Sequence, residues 1–261
     1  MSAILSVREL ERTFGSVVAA RAISLDVPAE QTVGIIGANG AGKTTFVNMI
    51  TGHIRPSKGS IRFDDRDITG LPSRAITRLG ISRSFQVAQT FPSLTVYENL
   101  CVAAAVGRAK EGILTLARRL LRTPEIVADV DAVMELFQIS HYSNTPAAML
   151  PQGARKLLDI AMAIGGSPRL LLLDEPTSGI SVEEKFAIME VVMSALRSRK
   201  ITILFVEHDM QIVARFADRV LAFYDGTVIA DGTPAIALAN PQVQAFISGT
   251  NAGLQGGAAY A

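Results

Sequence analysis

The chain has 261 residues, which at ~150 residues per domain is one or two domains with room for a real apolar core. Hydrophobic residues make up 49% and charged residues 19%, a balance that excludes a disordered chain. The 25 basic and 24 acidic residues leave a net charge of +1, which gives no broad electrostatic footprint for nucleic acid or an anionic membrane, and the single cysteine, Cys101, excludes an internal disulfide and a cysteine-based metal cluster.

In chain order, Ile4 to Leu10 and Val17 to Val27 alternate roughly between apolar and polar residues around Gly15-Ser16, which predicts two strands. Gln31 to Ile36 is a short apolar run before a glycine-rich turn and predicts a buried strand. A helix is predicted over Thr44–Thr51, stopped by Gly52; a strand over Gly59–Phe63; and a short helix over Leu71–Leu79 before Gly80. From about Val96 to Ile164 the pattern is almost wholly helical, punctuated by Pro124, Pro146 and Pro151. Strands return at Arg169–Leu173 and Ile201–Val206, with an amphipathic helix over Val182–Ser198 between them; this is a βαβ unit and predicts parallel pairing. Val220–Phe223 and Thr227–Ala230 flank Tyr224-Asp225-Gly226 as a hairpin, and the Gly/Ala-rich residues 249–261 read as a flexible tail. No apolar run approaches the ~18 residues a membrane span needs, and MSAILSVREL carries no apolar leader core. The expectation is a soluble chain held at a membrane, if at all, by another component.

Two motifs carry chemistry. Gly37-Ala38-Asn39-Gly40-Ala41-Gly42-Lys43-Thr44-Thr45 matches G-x-x-x-x-G-K-[ST], set between a predicted strand and a predicted helix. Glycines let the backbone wrap a polyphosphate, the helix start adds partial positive charge, Lys43 is a mobile cation for the outer phosphates and Thr44 offers a hydroxyl to Mg²⁺. A glycine-rich turn that binds nothing would not need the Lys-Thr pair as well. The second motif, Leu170 to Leu173 followed by Asp174-Glu175, places two acids at a strand's C-terminal end, where open α/β sheets bind ligands. Asp174 suits Mg²⁺ coordination and Glu175 suits a base that orients an attacking water, provided the two motif strands neighbour each other. Together the motifs predict a Mg-nucleotide hydrolase.

The phosphate loop, Gln86 after a short strand, Leu150 to Ala154 before a helix, Asp174-Glu175-Pro176-Thr177 and His208 in Val206-Glu207-His208-Asp209 occur in that order. The set resembles the nucleotide-binding subunit of an ABC transporter over residues 1–248. Gly80 to Gln86, Thr90 to Leu100 and the Gly232-Thr233-Pro234 and Asn240-Pro241-Gln242-Val243 segments are similar to the ATPase subunits of branched-chain amino-acid importers, whose near relatives handle urea, short amides or exported lipopolysaccharide. The resemblance implies an α/β fold: a P-loop NTPase core, a mixed sheet with an antiparallel N-terminal β subdomain, and an inserted α-helical subdomain over about residues 90–165. It implies ATP and Mg²⁺ as ligands. Glu175, His208 and Gln86 would serve catalysis. Phe14 would stack on adenine, although a core Phe at a strand end reads the same way; Asn39, Gly40, Ala41, Gly42, Lys43, Thr44, Thr45 and Gly153 would bind nucleotide. Thr44, Gln86 and Asp174 would bind the metal. His53 and His141 read as structural.

The resemblance further implies a peripheral protein at the cytoplasmic face of the inner membrane. Its partners would be a second ATPase subunit, identical or different, transmembrane permease subunits and, indirectly, an extracytoplasmic solute-binding protein, with no nucleic acid. One departure stands out. The family's usual Leu-Ser-Gly-Gly-Gln signature is Leu150-Pro151-Gln152-Gly153-Ala154 here, so a serine hydroxyl aimed at the partner's γ-phosphate is replaced by a proline suited to the first turn of a helix. A soluble cassette working on ribosomes or DNA, a non-hydrolysing regulatory subunit and an exporter are the alternatives. One cassette with near-zero charge disfavours the first, and the presence of Glu175 and His208 disfavours the second.

Overall fold

The computed structural model describes residues 3–84, 89–108 and 123–247. Among the described residues, ten strands form two sheets. The first is antiparallel, in the order β2-β1-β4-β5, from β1 (Ala3–Phe14), β2 (Val17–Pro28), β4 (Lys58–Phe63) and β5 (Arg66–Asp67). The second is β10-β9-β3-β8-β7-β6, from β3 (Thr32–Gly37), β6 (Ile81–Arg83), β7 (Leu170–Asp174), β8 (Thr202–Val206), β9 (Arg219–Tyr224) and β10 (Thr227–Gly232). Strands β3 and β6 to β9 pair in parallel, and β10 joins β9 as an antiparallel hairpin. The continuous apolar runs of β3 and β8 are explained by burial on both faces: every residue of both strands is buried.

The first strand runs to Phe14 rather than stopping at Leu10. Glu9 adopts φ 47° and the pairing register shifts between Val7 and Leu10, so the alternation breaks while the strand continues. Ser24 secures this irregularity, its Oγ accepting from the Glu9 N–H at 2.8 Å and donating to Glu9 Oε1 at 2.9 Å.

Helix α1 (Lys43–Ile50) leaves β3 through the glycine-rich turn, and α2 (Ser73–Leu79) leads into β6. The helical stretch contains α3 (Val96–Arg108), α4 (Pro124–Leu136), two short 3₁₀ turns at Ser140–Tyr142 and Ala147–Met149, and α5 (Gln152–Ala163). Helix α6 (Val182–Ser198) connects β7 to β8 as the βαβ pattern requires, starting from a Ser181 cap that accepts from the Glu184 N–H. Helices α7 (Met210–Phe216), α8 (Pro234–Leu238) and α9 (Pro241–Ile247) complete the described chain. Among the described residues no helix is long and apolar enough to cross a membrane. The tail at 249–261 lies outside the described residues.

The parallel sheet separates two apolar cores. Leu204 and Val206 of β8 face one, with Leu5, Phe46 and Phe63 between the sheets; Ile203 and Phe205 face the other, with Phe137, Leu158, Met189 and Phe216 from the helices. This two-sided packing puts the C-terminal ends of β3, β7 and β8 at one edge.

Candidate nucleotide-hydrolysis site

The loop after β3 turns into α1 at Gly42, whose φ of 99° and close packing both demand glycine: a Cβ there would lie 2.5 Å from the Ala19 carbonyl oxygen. Helix α1 begins with no side-chain cap and no acid in its first turn, so its first N–H groups remain available to an anion. Lys43 is buried, and its Nζ donates to the carbonyls of Gly37 at 2.6 Å and Ala38 at 2.9 Å. Burial pushes this ammonium below the ordinary lysine range, opposed by the nearby charges of Glu175 and Asp174. Thr44 is exposed beside it.

The two motif strands are not neighbours: β8 lies between β3 and β7, so Val206 pairs with Ile35 on one side and Asp174 on the other. Two strand spacings of ~5 Å therefore separate β3 from β7, and the acids meet the loop where it extends past the strand ends. Residues 39–45, Asp174, Glu175, Val206 and His208 line one pocket of about 160 Å³. Glu175 sits at φ 46°, an unusual conformation for a non-glycine residue, fixed by its N–H donating to Val206 O at 3.0 Å. Its Oε1 lies 3.1 Å from His208 Nε2, and the half-exposed imidazole faces the pocket mouth.

Several residues that build the site carry no motif signal. Glu207 is 4% exposed; its Oε1 accepts from both the N–H (3.0 Å) and the hydroxyl (2.6 Å) of Thr177, and its Oε2 accepts from the His208 N–H at 3.1 Å. One carboxylate thus fixes the turn after Glu175 and the backbone of His208. Arg83 donates to Asp174 Oδ2 at 2.5 Å and to Asn48 Oδ1 at 2.6 Å. Nothing local in the sequence pointed to Arg83, which only the pairing of β6 with β7 brings to Asp174; an acid adjoining His208 was the available hint for Glu207.

Gln86 lies outside the described residues, but both flanks are anchored. The Ser84 N–H donates to Leu172 O at 2.9 Å, and the Gln89 N–H donates to Asp159 Oδ1 on α5 at 2.8 Å. Beyond it, the buried Asn99 accepts from the Phe91 N–H and donates to the carbonyls of Phe91, Leu94 and Thr95, clamping that turn to α3.

Phe14 and Gly153 do not line the pocket. Phe14 is 44% exposed at the end of β1, with the Arg12 guanidinium 4.5 Å above its ring. Gly153 belongs to the first turn of α5, where a Cβ would lie 2.5 Å from Ile188 Cδ1, so glycine permits the close approach of α5 to α6. Pro151 is the residue before the first turn rather than within it: it caps α5 in extended conformation without a side-chain bond. Arg155 reaches back to the Ala147, Ala148 and Leu150 carbonyls and holds the preceding turn. His53 Nδ1 lies 2.9 Å from the Thr51 hydroxyl, and the His141 ring meets the Tyr142 ring at 4.0 Å with a tilt of 44°.

Residues 20–178 match the family model described as ABC transporter. The chain belongs to that family. Two curated relatives share 34% identity across 92% of this chain and 95% of their own lengths: the high-affinity branched-chain amino acid transport ATP-binding proteins LivG of Escherichia coli and BraF of Pseudomonas aeruginosa. Among solved structures, the ADP conformation of an ATP-binding cassette of an ABC transporter is 28% identical, with a TM-score of 0.84 over 95% of this chain and 100% of that one. This ABC cassette is accordingly a nucleotide-binding, ATP-hydrolysing protein with the α/β fold of those neighbours.

Proposed function

We propose that this cassette hydrolyses Mg-ATP to drive a membrane importer of branched-chain amino acids or related small polar solutes. The observation that carries the catalytic part is the Glu175–His208 pair, 3.1 Å apart at the mouth of the pocket that the phosphate loop and Asp174 complete. The import reading rests on the similarity to LivG and BraF along nearly the whole length of each chain.

In this reading, residues 39–45 wrap the phosphates, and Lys43 exchanges its two loop carbonyls for phosphate oxygens. Thr44 and Asp174 are hard oxygen donors, and the described residues contain no cluster of three or more acids, histidines or cysteines that could cage a metal. That donor set fits Mg²⁺, which keeps waters and phosphate oxygens and takes only one or two protein ligands. Mg²⁺ would neutralise charge building on the phosphates. Gln86 would approach the same place, between the anchored Ser84 and Gln89. Glu175 holds the attacking water and receives its proton, while His208 orients the Glu175 carboxylate and reaches toward the γ-phosphate. Phe14 stacks on adenine with Arg12 on its ring. Gly153, at the uncapped start of α5, serves the nucleotide held by a second cassette, identical or different.

The remaining assignments follow the same reading. Residues 1–248 act as one ATPase domain, with the helical part near 90–165 forming a lobe. A groove of about 400 Å³ between core and lobe, with exposed Phe91 and Val106 on a wall that also carries Gln89, suits a segment of a transmembrane permease subunit. Such a subunit holds the cassette at the cytoplasmic face, and an extracytoplasmic binding protein supplies the solute.

The test is Glu175→Gln. It should retain ATP binding while turnover falls about a hundredfold or more; normal turnover would place the base elsewhere. A mild-detergent pull-down should bring two permeases and a second cassette, whereas ribosomal or DNA-repair proteins alone would overturn the transport assignment.

A further inference from the structure

Arg83 joins the two elements that carry the proposed metal ligands. Asn48 lies one helical turn after Thr44 on α1, and Asp174 ends β7; the guanidinium bonds both, at 2.6 Å and 2.5 Å. The ion pair is well shielded, with side chains 10% and 18% exposed, so water screens it weakly. Lys43 and Lys156 also bear on Asp174 through charge, but Lys43 is committed to the carbonyls of its own loop. A guanidinium and a divalent cation on one shielded carboxylate repel each other strongly. Arg83 also lines the groove between core and lobe, which leaves room for its head to swing away from Asp174.

We propose that Arg83 is a resident counter-ion: it holds Asp174 and α1 together in the empty site, opposes the incoming metal, and so sets how tightly the site takes metal–nucleotide. Arg83 is here a positioning residue, and the inference rests on Asp174 being a metal ligand.

The test is Mn²⁺ binding in the presence of ADP, read by electron paramagnetic resonance on the full chain. Arg83→Gln keeps a donor to Asp174 and removes the charge. It should bind Mn²⁺ about tenfold more tightly, with ADP affinity in chelator unchanged. Arg83→Lys keeps the charge and should stay within about twofold of wild type. Weaker Mn²⁺ binding by Arg83→Gln would mean that Arg83 orients Asp174 for the metal, and unchanged binding would mean a purely structural pair; either overturns the proposal. Should Arg83→Gln fail to fold, Asn48→Ala frees Arg83 from its second anchor: binding about threefold tighter supports the proposal, and equal or weaker binding overturns it. Asp174→Asn separates the two levels. If that variant binds Mn²⁺ as wild type does, the assignment of Asp174 as ligand fails, whatever Arg83 does.

Discussion

Lys43 shows how one side chain can serve binding at the expense of the empty fold. Its ammonium is buried, and burial lowers its pKa, so in the folded chain the charge is disfavoured; the penalty is present at neutral pH and is relieved as pH rises past the depressed value. Lys43→Met should therefore melt at or above wild type without nucleotide and lose the nucleotide-induced rise in melting temperature, both readable in one thermal-shift series. Glu207 should behave oppositely. Removing a buried carboxylate that satisfies Thr177 and His208 leaves donors unpaired, so Glu207→Ala should cost about 2–4 kcal/mol in urea unfolding and lower kcat through a displaced His208. His208 was singled out through family resemblance, whereas Lys43, Thr44, Asp174 and Glu175 were legible as candidates in the sequence because each stands beside an apolar strand with distinctive neighbours. Arg83 was not, because its partner is 91 residues away and only the sheet brings β6 against β7. Phe14 and Gly153 were legible only through family resemblance: neither touches the pocket of its own chain.

Helix starts divide by what their caps do. Asp209 caps α7, accepting from the Gln211 and Ile212 N–H groups, and pairs with Lys185 of α6. Burial alone would raise its pKa, but Lys185 and the two N–H donors outweigh burial and hold the carboxyl below the usual range. A depressed folded value means the stabilisation is present above the unfolded carboxylate range and is lost as pH falls through the folded value. Asp209→Asn should accordingly be less stable than wild type at pH 7, with the difference shrinking progressively as pH falls below the ordinary carboxylate range, by urea unfolding across a pH series. Helix α5 starts without a side-chain cap, at Pro151. A serine there would add a cap worth about 1 kcal/mol, and the lost proline would return about 0.4–1 kcal/mol of unfolded-chain entropy. Pro151→Ser should therefore leave the melting temperature and the chain's own nucleotide affinity nearly unchanged, so that altered turnover in an assembled transporter would report on the partner's site. The element boundaries were mostly visible in apolar runs and turn residues. The extension of β1 to Phe14 was hidden because a bulge at Glu9 interrupts the alternation that marks a strand.

The parallel sheet ties two cores together, because β8 alternates its side chains between them. Ile203→Ala and Leu204→Ala open cavities on opposite faces. Each should cost about 2–5 kcal/mol, and calorimetry and circular dichroism should follow a single shared transition in both variants. Strand order was the least legible feature: nothing local to β3, β7 or β8 says which lies in the middle, since all three are short and dominated by apolar residues. Their order matters most where the chain leaves β6. Ser84 is fastened to β7, Gln89 to α5, and only five Cα steps separate them. Five steps span at most ~18 Å. While both bonds hold, the anchor on β7 and the anchor on α5 can never part by more than that reach, so the strand end and the helix start stay tethered to each other through the backbone itself.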